Sequence, residues 1–138
     1  MRGMVSLATV LALMAAPAAA QAPQEFPIGA TYKVLSISGS DVQDKNMTLT
    51  VTKTSEQVRA AGNAGCNNWT SGVLLRDGEI NFTEIATTRM ACDKERMKVE
   101  GAFTNALRLA QRWRFDDQNR LIIEGETARL LLAASSKN

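Results

Sequence analysis

Strict alternation marks the clearest strand in this chain. In Met47-Thr48-Leu49-Thr50-Val51-Thr52, apolar side chains take one face and threonines the other, the period-2 pattern of a half-buried strand. Ala30 to Ile37, rich in β-branched and aromatic residues, reads as an earlier strand, and Gly39 to Asn46 as a polar connection. A short strand at Gln57–Ala61 is expected to pair with 47–52, and the turn-rich run Gly62 to Trp69 is expected to be irregular. Ser71–Leu75 and Glu79–Phe82 flank Asp77-Gly78, a tight-turn pair, and predict a hairpin. Trp113 and Phe115 then share one face of an alternating run. Leu121–Glu124 and Ala128–Leu132 follow, separated by a turn at Gly125, which gives three strands in a terminal meander.

One segment has the other period. Val99, Phe103, Ala106, Leu107 and Ala110 make a single apolar stripe at helical spacing, which predicts a helix over about 94–110 with Asp93 as its N-cap. Many short strands around one inserted helix point to the α+β class with an antiparallel sheet. Such a sheet can curl into a partly open, cracked β-barrel with the helix covering one side.

The first twenty residues have a different character. Arg2, an apolar run from Met4 to Ala16, Pro17 and then Ala18-Ala19-Ala20 read as a secretory signal peptide cut before Gln21. The apolar run is shorter than the roughly 20 residues of a membrane span, so no transmembrane anchor is expected in the mature protein. Residues 21–27 read as a flexible lead-in, 28–134 as one domain and 135–138 as a frayed tail. The expected location is the periplasm or outside the cell.

Charge and cysteine content sharpen this picture. The chain carries 16 Lys and Arg against 14 Asp and Glu, and removal of Arg2 brings the balance to 15 against 14. So small an excess gives no reason to expect nucleic acid as a partner. The two cysteines, Cys66 and Cys92, lie in the exported part, where disulfides form and persist. A bond between them would close 25 residues and contribute about 3–4 kcal/mol in the chain-entropy account. Two free thiols are the rival reading, but the pair lacks the C-x-x-C spacing of redox sites.

Residues 61–132 resemble the META domain, the HslJ-like family of small bacterial envelope proteins. Gly62-Asn63-Ala64-Gly65-Cys66-Asn67, followed by Trp69 and Gly72, is similar to that family's G-x-x-G-C-N element. Thr88-Arg89-Met90-Ala91-Cys92 is similar to its T-x-M-A-C element. A helix with Met97, Glu100, Phe103 and Leu107 comes next, as in the family. The resemblance implies a cracked barrel, related in shape to the pilot proteins of secretion pores, and an association with envelope stress, drug tolerance or secretion. It carries no catalytic activity that could be transferred. Gly62, Gly65 and Asn67 also have a physical reading of their own, as a loop of positive φ, close backbone approach and side-chain-to-backbone bonding.

The chain contains no histidine, which removes histidine bases, catalytic triads and histidine metal ligands. No phosphate-binding glycine loop is present, and no cofactor or metal is expected. Glu84, Asp93, Glu95 and Glu100 read as solvated or capping carboxylates, and Asp116, Asp117 and Asn119 as an ordinary turn. Arg112, Arg114 and Arg120 around Trp113 are the candidate binding surface. The expectation is a non-enzymatic monomer acting on an unidentified envelope component or protein. The alternatives are a secreted inhibitor or secretion-pore accessory protein and, less favoured, a carboxylate-only hydrolase.

Overall fold

Nine antiparallel strands and one long helix make up the described part of the chain in a computed structural model, which covers residues 14–17 and 24–136. Most of the signal sequence reading and residues 137–138 of the tail lie outside the described residues. The strands are β1 (Thr31–Ile37), β2 (Ser40–Asp41), β3 (Thr48–Lys53), β4 (Val58–Asn63), β5 (Asn68–Arg76), β6 (Glu79–Thr87), β7 (Arg112–Phe115), β8 (Leu121–Glu124) and β9 (Arg129–Ala134). The helix α1 (Lys94–Leu109) joins β6 to β7.

The strands run as a meander from β3 to β9, and β9 returns to pair with β1 between Tyr32↔Ala134 and Ile37↔Leu130. Eight strands therefore close into a barrel, with β2 an appendage of β1. The thin seam lies between β6 and β7, where a single residue pair, Glu79↔Arg112, joins the ladders. The helix packs mainly along β6, beside this seam. Where the ladder stops, Ile80 donates to the Gln111 carbonyl at 3.1 Å, and the Asn81 amide donates to the Ala110 carbonyl at 3.1 Å. The first of these belongs to the Glu79↔Arg112 pair itself, and the second gives the Ala110 carbonyl, beyond the ladder, a side-chain donor in place of a strand partner.

The alternating pattern is directly visible in the core. Met47, Leu49 and Val51 are fully buried, as are Phe103 and Leu107 of the helix stripe. Each large apolar side chain removed from water stabilises by about 1.5–3 kcal/mol. Trp69 sits at the centre, edge-to-face with Phe103 at 5.5 Å and Phe82 at 6.2 Å, and the interior is filled by the protein's own side chains. Phe26, within the segment read as a flexible lead-in, is also core: it is buried against Trp113 with ring centroids 5.1 Å apart. The polar neighbours and two prolines around it conceal an aromatic that closes one barrel end.

Three element boundaries differ from the sequence reading. β6 runs to Thr87 because Glu84 takes a positive φ of 51° and the register shifts opposite Thr70 and Gly72. The bulge breaks the alternation that would have revealed the strand. β4 continues through Gly62 to Asn63, so only residues 64–67 are irregular. A tight turn at Ser38-Gly39, with φ of 47° and 86°, pairs β1 with β2, inside what read as polar connection.

The helix begins as expected. Asp93 is extended, and its carboxylate accepts from the Arg96 backbone N–H at 2.9 Å. Gly101 lies within the helix. It is exposed, and a Cβ there would meet nothing within 4 Å. Gly101→Ala is therefore expected to stabilise the domain by about 1 kcal/mol, raising the midpoint of thermal or urea unfolding. An unchanged or lower midpoint would contradict it.

Three aspartates report on acid stability. Hydrogen bonds from the Arg96 backbone to Asp93 and from the Arg120 backbone to Asp116 hold both carboxyls below the ordinary 3.8. The Lys45 ammonium does the same for Asp44. A carboxyl lowered in the folded state contributes stability that is present above 3.8 and is lost as pH falls through the lower folded values. Melting temperature is expected to decline from pH 5 toward pH 2, and Asp116→Asn to flatten part of that slope.

Candidate functional site

The residues next to the two cysteines, 62–67 and 88–92, come together at one end of the barrel. The 64–67 loop between β4 and β5 faces the 88–93 connection that leads into the helix. Cys66 and Cys92 are bonded, with Cα atoms 6.1 Å apart. The two glycines divide the roles that sequence alone assigned to both. Gly65 takes the positive φ, 102°, in a turn where Ala64 donates to the Asn67 carbonyl at 2.7 Å. Gly62 stays in its strand, and a side chain there would collide with the Thr48 backbone carbonyl. Trp69 fixes the same strand from inside by donating its indole N–H to that Thr48 carbonyl at 3.1 Å. Gly72 marks the bulge opposite Thr83.

Asn67 is the centre of this knot, and it bonds other segments rather than its own turn. Its Oδ1 accepts from the Met90 backbone N–H at 2.7 Å and from the Thr88 hydroxyl at 2.9 Å. Its Nδ2 donates to Glu100 Oε1 at 3.0 Å and to the Met90 carbonyl at 3.3 Å. Its backbone N–H donates to Glu100 Oε2 at 2.8 Å. Asn67 is 2% exposed and Glu100 6%. The reading of Glu100 as a solvated carboxylate is therefore corrected: it is a buried acceptor that ties the first half of α1 to the cysteine loop. Its spacing in the helix did not show this, because its partner comes from a loop distant in sequence. Arg96 adds a further tie, donating to the Gly65 carbonyl at 3.2 Å. These groups satisfy one another, which is the signature of architecture.

The arginines are arranged differently. Arg112 and Arg114 on β7 approach Glu124 Oε1 at 3.4 and 3.6 Å, and Arg129 on β9 approaches Glu124 Oε2 at 3.2 Å. The register explains the convergence: Arg112 pairs across the sheet with Glu124, and Glu124 with Arg129. Three guanidiniums thus share one carboxylate on the outer face of the barrel, all three about half exposed. Each such surface pair contributes about 0–1 kcal/mol. Arg120 does not join them. It is held by Asp116, whose carboxylate takes the Arg120 Nε and backbone N–H, both at 2.8 Å. That turn consumes Asp116 internally. Arg129 was missed because its nearness to Arg112 follows from strand register; a cross-strand charge pairing of β7, β8 and β9 would have found it.

The META domain model matches residues 24–137. The chain belongs to the META domain family. The span of the match includes Phe26, so the META domain begins within the lead-in. Among solved structures, the NMR structure of a protein from Burkholderia xenovorans has 22% identity and a TM-score of 0.63, covering 91% of this chain and all of the other. A second NMR structure has 19% identity and a TM-score of 0.59, covering 75% of this chain and 86% of the other. A crystal structure of a DUF4847 family protein from Bacteroides vulgatus has 12% identity and a TM-score of 0.53, covering 79% of this chain and 94% of the other. No curated protein matches the chain. At these identities the similarity establishes the META barrel fold and nothing about activity. Among the described residues no helix is long and apolar enough to cross a membrane.

Proposed function

We propose that this META-domain chain is an exported, non-catalytic protein that acts by binding in the assembly or stress response of the bacterial envelope. The surface we assign to it is the group Arg112, Arg114 and Arg129. The observation that supports this reading is the sharing of the single Glu124 carboxylate by three guanidiniums. Each approaches it through Nε, and each side chain stays about half exposed. Guanidinium forks match carboxylate and phosphate oxygens in pairs, so this cluster is suited to an anionic partner even though Glu79 stands opposite Arg112 in the neighbouring strand. Among envelope components, the headgroup phosphate of anionic phospholipid fits this chemistry on an exposed strand face.

The test is flotation of the purified protein with phosphatidylglycerol vesicles and with phosphatidylcholine vesicles. Binding to the anionic vesicles alone is expected, weakening between 50 and 300 mM salt, about the range over which exposed charges become screened. The variant Arg112→Gln, Arg114→Gln, Arg129→Gln is expected to lose it at least tenfold while keeping the wild-type melting temperature within a few degrees. Equal binding by wild type and variant would overturn the assignment. Stoichiometric recovery of an acidic envelope protein through the same three residues would favour the accessory or inhibitor alternative over lipid.

A further inference from the structure

The barrel end opposite the disulfide carries an independent feature. The lead-in, the β3–β4 turn and the β5–β6 turn all meet there, and between them lies a cleft of about 640 Å³, a size usual for small-molecule sites. Ile28, Val58 and Leu75 line it with apolar surface, together with Phe26 and Trp113. Ile28 is 42% exposed, an apolar side chain left at the mouth of the cleft.

The two tryptophans of the chain differ in one respect. The Trp69 indole donates to a carbonyl. Trp113 is 7% exposed, yet its Nε1 has no hydrogen-bond partner among the described residues. Buried indole N–H groups usually find an acceptor, and one left unpaired costs about 1–3 kcal/mol. The Phe26 ring packs edge-to-face on Trp113 at 5.1 Å, and Phe115 does so at 5.9 Å. Phe26 itself is lightly held. Among the described residues, the first backbone hydrogen bond from this segment to the barrel comes three residues later, from Gly29 to the Val51 carbonyl at 2.7 Å. The seat of Phe26 therefore depends on its ring and not on a strand ladder.

The charge around the cleft settles the ligand class. Lys53 and Arg76 line it, and so do Glu25 and Asp77, two of each sign, so no net field favours an ion. We infer that this cleft binds a small, neutral, apolar molecule bearing one carbonyl acceptor, with Phe26 as a displaceable plug and the Trp113 indole N–H as the donor that orients the carbonyl. The ligand replaces the aromatic contact that Phe26 makes and supplies the acceptor that Phe26 lacks. The inference rests on the barrel end alone and stands or falls separately from the arginine surface.

The test uses butyrophenone and its carbon isostere 2-phenyl-1-pentene, which has CH2 in place of the carbonyl oxygen. Both are titrated into nitrogen-15-labelled protein, with the two indole resonances assigned by Trp113→Phe. The ketone is expected to move the Trp113 indole proton downfield, to leave that of Trp69 in place, and to bind at least tenfold more tightly than the alkene. Phe26→Ala is expected to raise ketone affinity at least fivefold; Phe26→Leu serves if the alanine variant does not fold. In folded Trp113→Phe the preference for the ketone should disappear. An unmoved Trp113 resonance at saturating ketone, equal affinity for ketone and alkene, or a ketone preference that survives in Trp113→Phe would each overturn the inference.

Discussion

Asn67→Asp is expected to destabilise the domain by about 3–5 kcal/mol, the range for an uncompensated buried charge. At this size that lowers the melting temperature by about 10–20 °C. The substitution is nearly isosteric, so packing is not the cause. Nδ2 of Asn67 donates to both Glu100 and the Met90 carbonyl. An aspartate oxygen in its place puts a second carboxylate 3.0 Å from Glu100 and confronts the Met90 carbonyl with another acceptor. No Lys or Arg forms an ion pair with Glu100 among the described residues, so nothing nearby offsets the repulsion. Thermal melts of wild type, Asn67→Asp, Glu100→Gln and the double variant provide the check. Glu100→Gln removes one of the two charges, so the double variant should lose less than the sum of the singles, with a coupling of at least 1 kcal/mol. An Asn67→Asp protein that melts within 3 °C of wild type would show that the Asn67–Glu100 contact carries little of the fold's stability.

Loss of the disulfide has the second largest expected effect. Cys66→Ser with Cys92→Ser, or reduction of the wild-type protein, is expected to cost about 2–5 kcal/mol. The bond joins positions 26 apart in sequence, and in the chain-entropy account it acts by restricting the unfolded chain. The barrel ladders and the Trp69–Phe103 core lie elsewhere and do not require it. The far-ultraviolet circular dichroism spectrum should therefore stay native at low temperature while the unfolding midpoint falls by about 10 °C or more. A midpoint unchanged by reduction would contradict this, and so would complete unfolding on reduction at low temperature. The two results would also separate the two ties on the cysteine loop. The bond limits the freedom of the unfolded chain, whereas Asn67 satisfies polar groups within the folded one.

Neither the arginine surface nor the cleft at Trp113 lies next to this knot. The arginines come from β7 and β9 on the outer face, and the cleft is at the opposite barrel end. The motif residues most visible in sequence are thus spent on holding the helix connection to the β4–β5 loop. The surfaces left free to meet a partner are built from residues with no motif of their own.

Much of the META fold was legible from residue order because it depends on local chemistry. Alternation placed Met47, Leu49 and Val51 inward, helical spacing gathered Phe103 and Leu107, and Asp93 capped the helix. Each of these follows from the period of a regular element or from the preference of a single side chain. What the chain order did not reveal depends on register and closure. Glu100 is buried because a loop thirty-three residues upstream folds onto it. Arg129 joins Arg112 because β8 stands between them and supplies the carboxylate both use. Phe26 is core because β1 and β9 close a barrel with an end to fill. Such neighbours arise when distant segments are brought within hydrogen-bonding distance, and the pattern within any one segment carries no record of which partner will arrive.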